Sequence, residues 1–200
     1  MRAKSFVLLS LGIFAMILAM GIASAVTLAD WPSTTNAAPI NVAANLNAGN
    51  LTAGAGISGL AFNSTNGATG TGWNQGALGA GDFYQVTLTA ASGFNFNITS
   101  VSLTQISSNP TTNMNFDVTW SKNNFATSNN IVSGGISTTA SALSSTTTNI
   151  NLSSGETLTL RIFGYNSDDS ATETFSIKNL NIQGTATTVQ TSVPPEVTSC

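Results

Sequence analysis

The sequence predicts an all-β fold, namely a two-sheet antiparallel β-sandwich of the jelly-roll kind with about 8–10 short strands. Apolar and polar residues alternate along run after run from Val26 onward, which is the pattern of strands with one buried face. Short clusters of Gly, Asn, Ser and Pro separate these runs, and no apolar repeat at helical spacing interrupts them. Because each strand then has a single apolar face, two sheets are needed to cover one another.

Residues 1–25 are predicted to be a helical signal peptide. Arg2 and Lys4 precede an apolar run, and Ala-Ser-Ala before Val26 supplies the small residues that signal peptidase requires. An uncleaved membrane anchor is the alternative, since the apolar run is about 18 residues long. Either way, the rest of the chain is expected to be secreted or held at the cell surface.

Residues 26–184 are predicted to form the β-sandwich domain, and residues 185–200 a Thr- and Pro-rich linker or tail. Cys200, the last residue, is the single cysteine, so no disulfide can cross-link the domain. A linker joins a domain to another part of the protein or to a surface. Whether the protein continues beyond Cys200 therefore stays open.

The charge of the exported part is low and negative. It has three basic residues, Lys122, Arg161 and Lys178, against eight acidic ones, a net charge near −5. Nucleic-acid binders present clustered Lys and Arg to phosphates, so this balance argues against a nucleic-acid partner. Charged residues make up 6% of the chain, against about 25% in ordinary soluble domains, so hydroxyl and amide groups must keep the surface hydrated.

The clearest strands lie after Gly81. FYQVTLTA is the first, and later runs are FNFNITSVSLTQ, MNFDVTWS, TTNINL, ETLTLRIFGY and ETFSIKNLNIQG. In two of them the apolar phase changes by one residue, at Thr99–Ser100 and between Ile177 and Leu180. A one-residue shift reverses the buried face, so a β-bulge or a sharp bend is predicted at both places.

The pattern before Gly81 is weaker. VTLADW, INVAANL and ISGLAFN are predicted to be strands. The segment from Asn63 to Gly81 contains many glycines and is predicted to be a loop around Trp73.

Three blocks resemble a family of secreted bacterial β-sandwich domains, found in surface proteins with PEP-CTERM sorting tails and beside secreted hydrolase or nuclease domains. The blocks are DFYQVTLTAASGFNFNITSVSLTQ, SSNPTTNMNFDVTWSKNNF and LTLRIFGYNSDDSATETFSIKNLNIQG. Trp31 and the loop around Trp73 also match the family's early Trp and Gly-Trp loop. The resemblance implies a non-catalytic extracellular module. Where the family has arginines this chain has uncharged residues such as Ile106 and Thr119, so a charge-based site is not expected.

No enzyme is predicted. The chain has no histidine, which removes Ser-His-Asp and Cys-His mechanisms and histidine metal sites. A pair of carboxylates about 5–10 Å apart could still hydrolyse a glycoside. The candidates are Asp82, Asp117, Glu156 and Glu173, all at strand edges or outward positions, where a solvated or turn-forming role is commoner.

No cofactor is predicted, although one loop could bind calcium. NSDDSATE brings Asn166, Asp168, Asp169 and Glu173 close together in sequence, and Ca²⁺ takes roughly six to eight oxygen ligands. The loop lacks the spacing of a dedicated calcium loop. A hairpin turn capped by its own side chains is therefore the preferred interpretation.

Trp73, Phe125 and Tyr165 are the candidate ligand-binding residues. By strand parity or loop position they are expected outside the core, as is Phe83, and an exposed ring can stack on the apolar face of a sugar. Trp120 follows the phase of buried residues and is expected in the core.

Two functions are left open by these observations. The preferred one is a non-catalytic exported module with a structural or adhesive role at the cell surface. The alternative is a carbohydrate-binding module that serves a missing catalytic domain, and a filament subunit that accepts a neighbour's strand is a third. The expected partner is a cell-surface protein or a polysaccharide, with no membrane contact once the signal peptide is removed.

Overall fold

The alternating runs pair into two antiparallel sheets that face each other across an apolar core. The computed structural model describes residues 24–108, 114–145, 148–167 and 172–189. The strands are, in chain order, β1 (Val26–Trp31), β2 (Leu46–Ala48), β3 (Thr52–Ala53), β4 (Ser58–Asn63), β5 (Gly67–Thr71), β6 (Phe83–Ala90), β7 (Phe94–Ser107), β8 (Asn115–Ser121), β9 (Asn129–Gly135), β10 (Ser141–Ser145), β11 (Ile150–Leu152), β12 (Thr157–Tyr165) and β13 (Phe175–Thr188).

Sheet A has the order β10-β7-β13-β5-β4, with β1 beside β13 and β11 beside β7. Sheet B has the order β2-β6-β12-β8-β9, with β3 beside β6. The chain crosses between the sheets from β1 to β2, β3 to β4, β5 to β6, β6 to β7, β7 to β8, β9 to β10, β11 to β12 and β12 to β13, which is a jelly-roll-like connection pattern. The predicted all-β sandwich is confirmed.

The described residues contain more strands than the sequence pattern predicted. β3, β5, β9 and β10 were not expected, because their sequences are TA, GATGT, NNIVSGG and SALSS. Such segments have little apolar alternation, so only their pairing with a neighbouring strand identifies them as β-structure.

Both predicted β-bulges are confirmed in the pairing of β7 with β13. The register shifts between Lys178 and Asn181 of β13, and Asn179 within that step has a φ of 54°. A second shift, at Gln183–Gly184, leaves Thr99 as an extra residue of β7. Each bulge returns the apolar residues beyond it to the core side of sheet A.

The predicted Gly-rich loop between residues 63 and 81 is partly wrong, because it contains strand β5. Gly67 lies so close to β13 that a Cβ there would be 2.2 Å from the carbonyl oxygen of Ile177. Glycine is therefore what allows β5 to pack against β13 at this point, rather than a sign of loop structure.

The predicted end of the domain at Gly184 is too early. β13 continues to Thr188, and its last residues pair with the start of β7, where Thr188 lies opposite Phe94. Residues 186–188 are exposed, so hydrogen bonding to β7 rather than apolar burial makes them part of the strand.

The predicted signal-peptide helix lies outside the described residues, apart from residues 24 and 25, as does most of the predicted tail. Within the described ranges, no helix has the length and apolarity needed to cross a membrane.

Candidate functional site

The outer side of sheet B gathers aromatic, amide and charged side chains on three adjacent strands. Directly opposite residues of antiparallel strands share a face, and Phe163 of β12 lies opposite both Phe83 of β6 and Asp117 of β8. The loop after β8 adds one more ring. We call this surface the outer aromatic face; its residues are Phe83, Gln85, Asp117, Thr119, Phe125, Arg161, Phe163 and Tyr165.

The guanidinium group of Arg161 lies between two aromatic rings. Its central carbon is 4.0 Å from the ring centroid of Phe83 and 3.9 Å from that of Phe125. Arg161 Nε also donates a hydrogen bond of 2.8 Å to Gln85 Oε1. Partial burial lowers the pKa of the guanidinium, which nevertheless stays charged at neutral pH. Each cation–π contact contributes about 0.5–2 kcal/mol, so Arg161 is held in one orientation.

The loop of residues 122–128 is built to place Phe125 on Arg161. Ser121 Oγ accepts hydrogen bonds from the backbone N–H groups of Asn123 (3.1 Å) and Phe125 (3.0 Å). Asn123 Oδ1 in turn accepts one from the backbone N–H of Thr127, at 3.1 Å. Local side-chain bonds of this kind fix a turn without any strand pairing.

Two residues of this loop have left-handed backbone conformations. Asn124 has a φ of 54° and Phe125 a φ of 63°. Asparagine tolerates this region, whereas a bulky aromatic residue is rarely found there. Such a residue persists only when its surroundings determine its position, and residues of this kind cluster at functional sites.

Thr119 adds an unused hydroxyl group to the outer aromatic face. It lies opposite Arg161 in the β8–β12 pair and is only 9% exposed. Among the described residues, its Oγ1 atom is buried and has no hydrogen-bond partner. An unsatisfied buried hydroxyl costs about 1–3 kcal/mol, which a ligand able to bond to it would recover.

Tyr165 and Asp117 form the other end of the face. The Tyr165 hydroxyl donates to Asp117 Oδ1 at 3.5 Å. Burial, and then the charge of Asp117, raise the pKa of the Tyr165 hydroxyl. Phe125 contacts Arg161, and Tyr165 follows Arg161 at an outward position of β12, so the structure brings both predicted residues onto one face. Both are half-buried, and their contact with a ligand stays a prediction.

Trp73 does not belong to this face, and the prediction that it lies outside the core is wrong. Its side chain is 0% exposed, and its ring makes edge-to-face contacts with Tyr84 and Phe175, each with centroids 5.1 Å apart. The indole N–H donates to the carbonyl oxygen of Gly70 at 2.8 Å. Once this one polar group is satisfied, burial of a large apolar ring is strongly favourable.

The predicted calcium loop is only partly described, because residues 168–171 lie outside the described ranges. Asn166 is exposed, whereas Glu173 is 3% exposed. The Glu173 carboxylate accepts hydrogen bonds from Ser107 Oγ (3.2 Å) and Ser167 Oγ (2.5 Å). In the described part of the chain, no three acidic or cysteine side chains come together to hold a metal ion. Calcium binding stays an untested prediction.

The four acidic residues considered for catalysis are found in different surroundings. Asp117 lies on the outer aromatic face, and Glu156 is paired with Lys122 through a 2.8 Å contact. Asp82 precedes β6, and burial raises the pKa of its carboxyl group. Glu173 is bonded to the two serines.

Sequence reasoning did not single out Arg161, Phe163, Gln85 or Thr119 as site residues. The signal was present for two of them, Arg161 and Phe163: Leu158, Leu160 and Ile162 face inward, so the residues between and after them on β12 face outward. Their neighbours on β6 and β8 depend on the register of three strands, which the sequence does not specify.

No protein-family model matches this chain, and no curated protein matches it. Among solved structures it is similar to family 29 carbohydrate-binding modules. One is a variant complexed with mannohexaose (TM-score 0.44, 11% identity, 80% of this chain and 92% of that one). Another is a variant complexed with cellulohexaose (TM-score 0.44, 10% identity, 82% and 93%). A third is a family 29 module (TM-score 0.43, 12% identity, 80% and 89%). Likeness at this level carries no conclusion about this chain's ligand.

Proposed function

We propose that this chain is a non-catalytic, exported surface module that binds a neutral polysaccharide through the outer aromatic face. The observation that carries the proposal is the position of Arg161 between Phe83 and Phe125, with Phe125 held there in a left-handed backbone conformation. A loop that orders a strained aromatic residue on a surface is hard to explain by folding stability alone.

The chemistry of the face suits a sugar. Half-buried aromatic rings at Phe125 and Tyr165 can stack on the apolar C–H face of a pyranose. Amide, hydroxyl and guanidinium groups beside them can bond to sugar hydroxyls, and Thr119 Oγ1 still lacks a partner among the described residues. The negative net charge favours a neutral polysaccharide over an acidic one.

Preorganisation supports the same function. Ser121 Oγ accepts a hydrogen bond from the backbone N–H of Phe125, and Gln85 Oε1 accepts one from Arg161 Nε, so both residues are held in place before any ligand arrives. A weakly binding ligand such as a polysaccharide benefits most when the protein loses little conformational entropy on binding. Adhesion to a surface polysaccharide would also account for the predicted signal peptide and for a surface rich in hydroxyl and amide groups.

The test is retention of the purified full chain on insoluble polysaccharides and its titration with soluble ones. The panel contains a β-glucan, a mannan, a xylan and a galactan, with the acidic polysaccharide alginate as a charge control. We expect binding to at least one neutral polymer. Phe125→Ala is expected to weaken that binding up to about tenfold, because stacking of an aromatic ring contributes about 0.5–1.5 kcal/mol.

A matched control is Phe94→Ala, which removes a half-buried aromatic ring from sheet A instead of sheet B. It is expected to keep full binding at temperatures where it is folded. Arg161→Lys keeps the charge but loses the planar group that stacks between rings, so it is expected to weaken binding. Failure of the wild type to bind any neutral polymer, or equal binding by Phe125→Ala, would contradict the proposal.

A further inference from the structure

A cleft lies between the two sheets at an open edge of the sandwich. It is formed where β8 and β9 of sheet B face the residues leading into β11 of sheet A, and its volume is about 380 Å³. The residues that line it are all uncharged and include Trp120, Asn129, Asn130, Thr148, Asn149 and Ile150. Small-molecule sites in proteins have volumes in this range.

Trp120 forms the aromatic wall of this cleft. It lies opposite Leu160, a core residue of β12, so its side chain is on the inner side of sheet B. It packs against the core but is only half-buried, because it stands near the edge of the sandwich. Trp120 was predicted to lie in the core. Its side chain is on the core side of sheet B as predicted, but it is half-buried rather than fully buried.

Thr148 provides an unused hydrogen-bonding group in the same cleft. Its Oγ1 atom is buried and has no hydrogen-bond partner among the described residues. Asn129 and Asn149, also on the cleft wall, are exposed. The cleft therefore combines an aromatic ring with amide groups that both donate and accept hydrogen bonds and with an unsatisfied hydroxyl.

We infer that this cleft is a separate binding site for a single neutral hexopyranose unit, such as the end of a polysaccharide chain. The ring of Trp120 would stack on the apolar face of the sugar, and Thr148 Oγ1 with the asparagine amides would bond to its hydroxyls. The absence of charge among the lining residues suits a neutral sugar. This site shares no residue with the outer aromatic face, and its existence does not depend on that face.

A peptide that extends the sheet is the less suitable occupant. Strand addition needs a regular edge with free backbone groups. The pairing of β8 with β9 is interrupted by a register shift between Val118 and Thr119, and β9 ends in two glycines. A bulged edge strand of this kind is poorly shaped for pairing with another strand.

Tryptophan fluorescence reports this site selectively. The chain has three tryptophans; Trp31 and Trp73 are 0% exposed, so acrylamide quenches mainly Trp120. We expect glucose, galactose or mannose, added at up to about 100 mM because one sugar unit binds with a Kd on the order of 1 mM or weaker, to protect Trp120 from acrylamide. The quenching constant should then fall to that of the Trp120→Phe variant, which has only the buried indoles.

Thr148→Val separates binding from stability. The change removes an unsatisfied hydroxyl while keeping the shape of the side chain, so the melting temperature is expected to stay the same or rise. Loss of one hydrogen bond to the sugar is expected to weaken hexose binding about 2- to 10-fold. A residue with a structural role alone would change the melting temperature without changing the binding constant.

The outcomes distinguish this site from the outer aromatic face. The inference is supported if a hexose protects Trp120 from acrylamide, if this protection persists in Phe125→Ala, and if it is weaker in Thr148→Val. No protection by any of the three sugars overturns it, as does equal binding by Thr148→Val. Protection by an unrelated extended peptide but by no sugar also overturns it and would assign the cleft to strand addition.

Discussion

The ring of Phe125 lies 3.9 Å from the guanidinium carbon of Arg161, and Phe125 adopts a φ of 63° in making this contact. The first residue comes from a loop and the second from the middle strand of sheet B, so the contact fixes the loop to the sheet. It also joins the one loop aromatic residue of the outer aromatic face to Arg161, which with Arg2 is one of the two arginines in the chain.

The contact between Arg161 and Phe125 is expected to be energetically coupled. In a double-mutant cycle with Arg161→Gln and Phe125→Leu, we expect a coupling free energy of about 0.5–1 kcal/mol, the size of a partly exposed cation–π contact. Urea unfolding of the four proteins measures it. Strictly additive effects would mean that the two side chains are neighbours without interacting.

Because Asn124 has a left-handed backbone conformation, two small substitutions there are expected to change the free energy of unfolding by different amounts. Asn124→Ala is expected to destabilise the protein by about 1 kcal/mol, because alanine is strained at a φ of 54°. Asn124→Gly should differ from wild type by about 0.5 kcal/mol or less, since glycine adopts this region freely. The free energy of unfolding in urea is the measurement, and a larger loss for glycine than for alanine would contradict the assigned backbone.

Burial of Trp73 predicts a loss of stability, not a selective loss of binding. Trp73→Ala is expected to cost about 3–5 kcal/mol, because it opens a large cavity between Tyr84 and Phe175. Gly164→Ala tests the same packing from the other side: its Cβ would lie 2.7 Å from Phe175 Cδ1 and 2.8 Å from Trp73 Cε3. We expect it to cost about 1–3 kcal/mol. Unchanged melting temperatures for both variants would place Trp73 outside the core.

The titration of Tyr165 is expected to begin above the ordinary tyrosine range. The chain has two tyrosines; Tyr84 is fully buried and its hydroxyl donates to the Phe175 carbonyl oxygen at 2.6 Å, so the first tyrosine to ionise in the folded protein is Tyr165. Its pKa is raised above 10.0 by burial and by Asp117. Asp117→Asn should therefore lower it, as measured by absorbance near the tyrosinate band.

The sign of the stability effect follows from the same shift. Because the folded pKa of Tyr165 is higher than the unfolded one, folding favours the protonated form. The contribution of Tyr165 to the free energy of unfolding is fully present below pH 10, the ordinary pKa of tyrosine, and is lost as the pH rises through the higher pKa of the folded protein. A wild type that becomes more stable between pH 9 and 11, relative to Tyr165→Phe, would contradict this relationship.

The periodicity of the sequence was sufficient to predict the layers of this protein. Alternation along FYQVTLTA and LTLRIFGY specifies which residues face the core, and the two phase changes predicted both bulges of the β7–β13 pair. These features are local, because the side-chain period of a strand is two residues regardless of its partner. A segment such as GATGT has no alternation of apolar and polar residues, so the sequence pattern does not predict it to be a strand.

Only the tertiary structure determined what the outward residues and the loops do. Trp73 enters the core because Gly164 leaves room for its ring and the carbonyl oxygen of Gly70 accepts a hydrogen bond from its indole, which no sequence period reveals. The outer aromatic face exists because β12 pairs with β6 and β8 in one particular register. The alternation of residues along a strand determines on which side of the sheet each residue lies. Which residues are its neighbours on that side depends on the pairing of strands that are distant in the sequence.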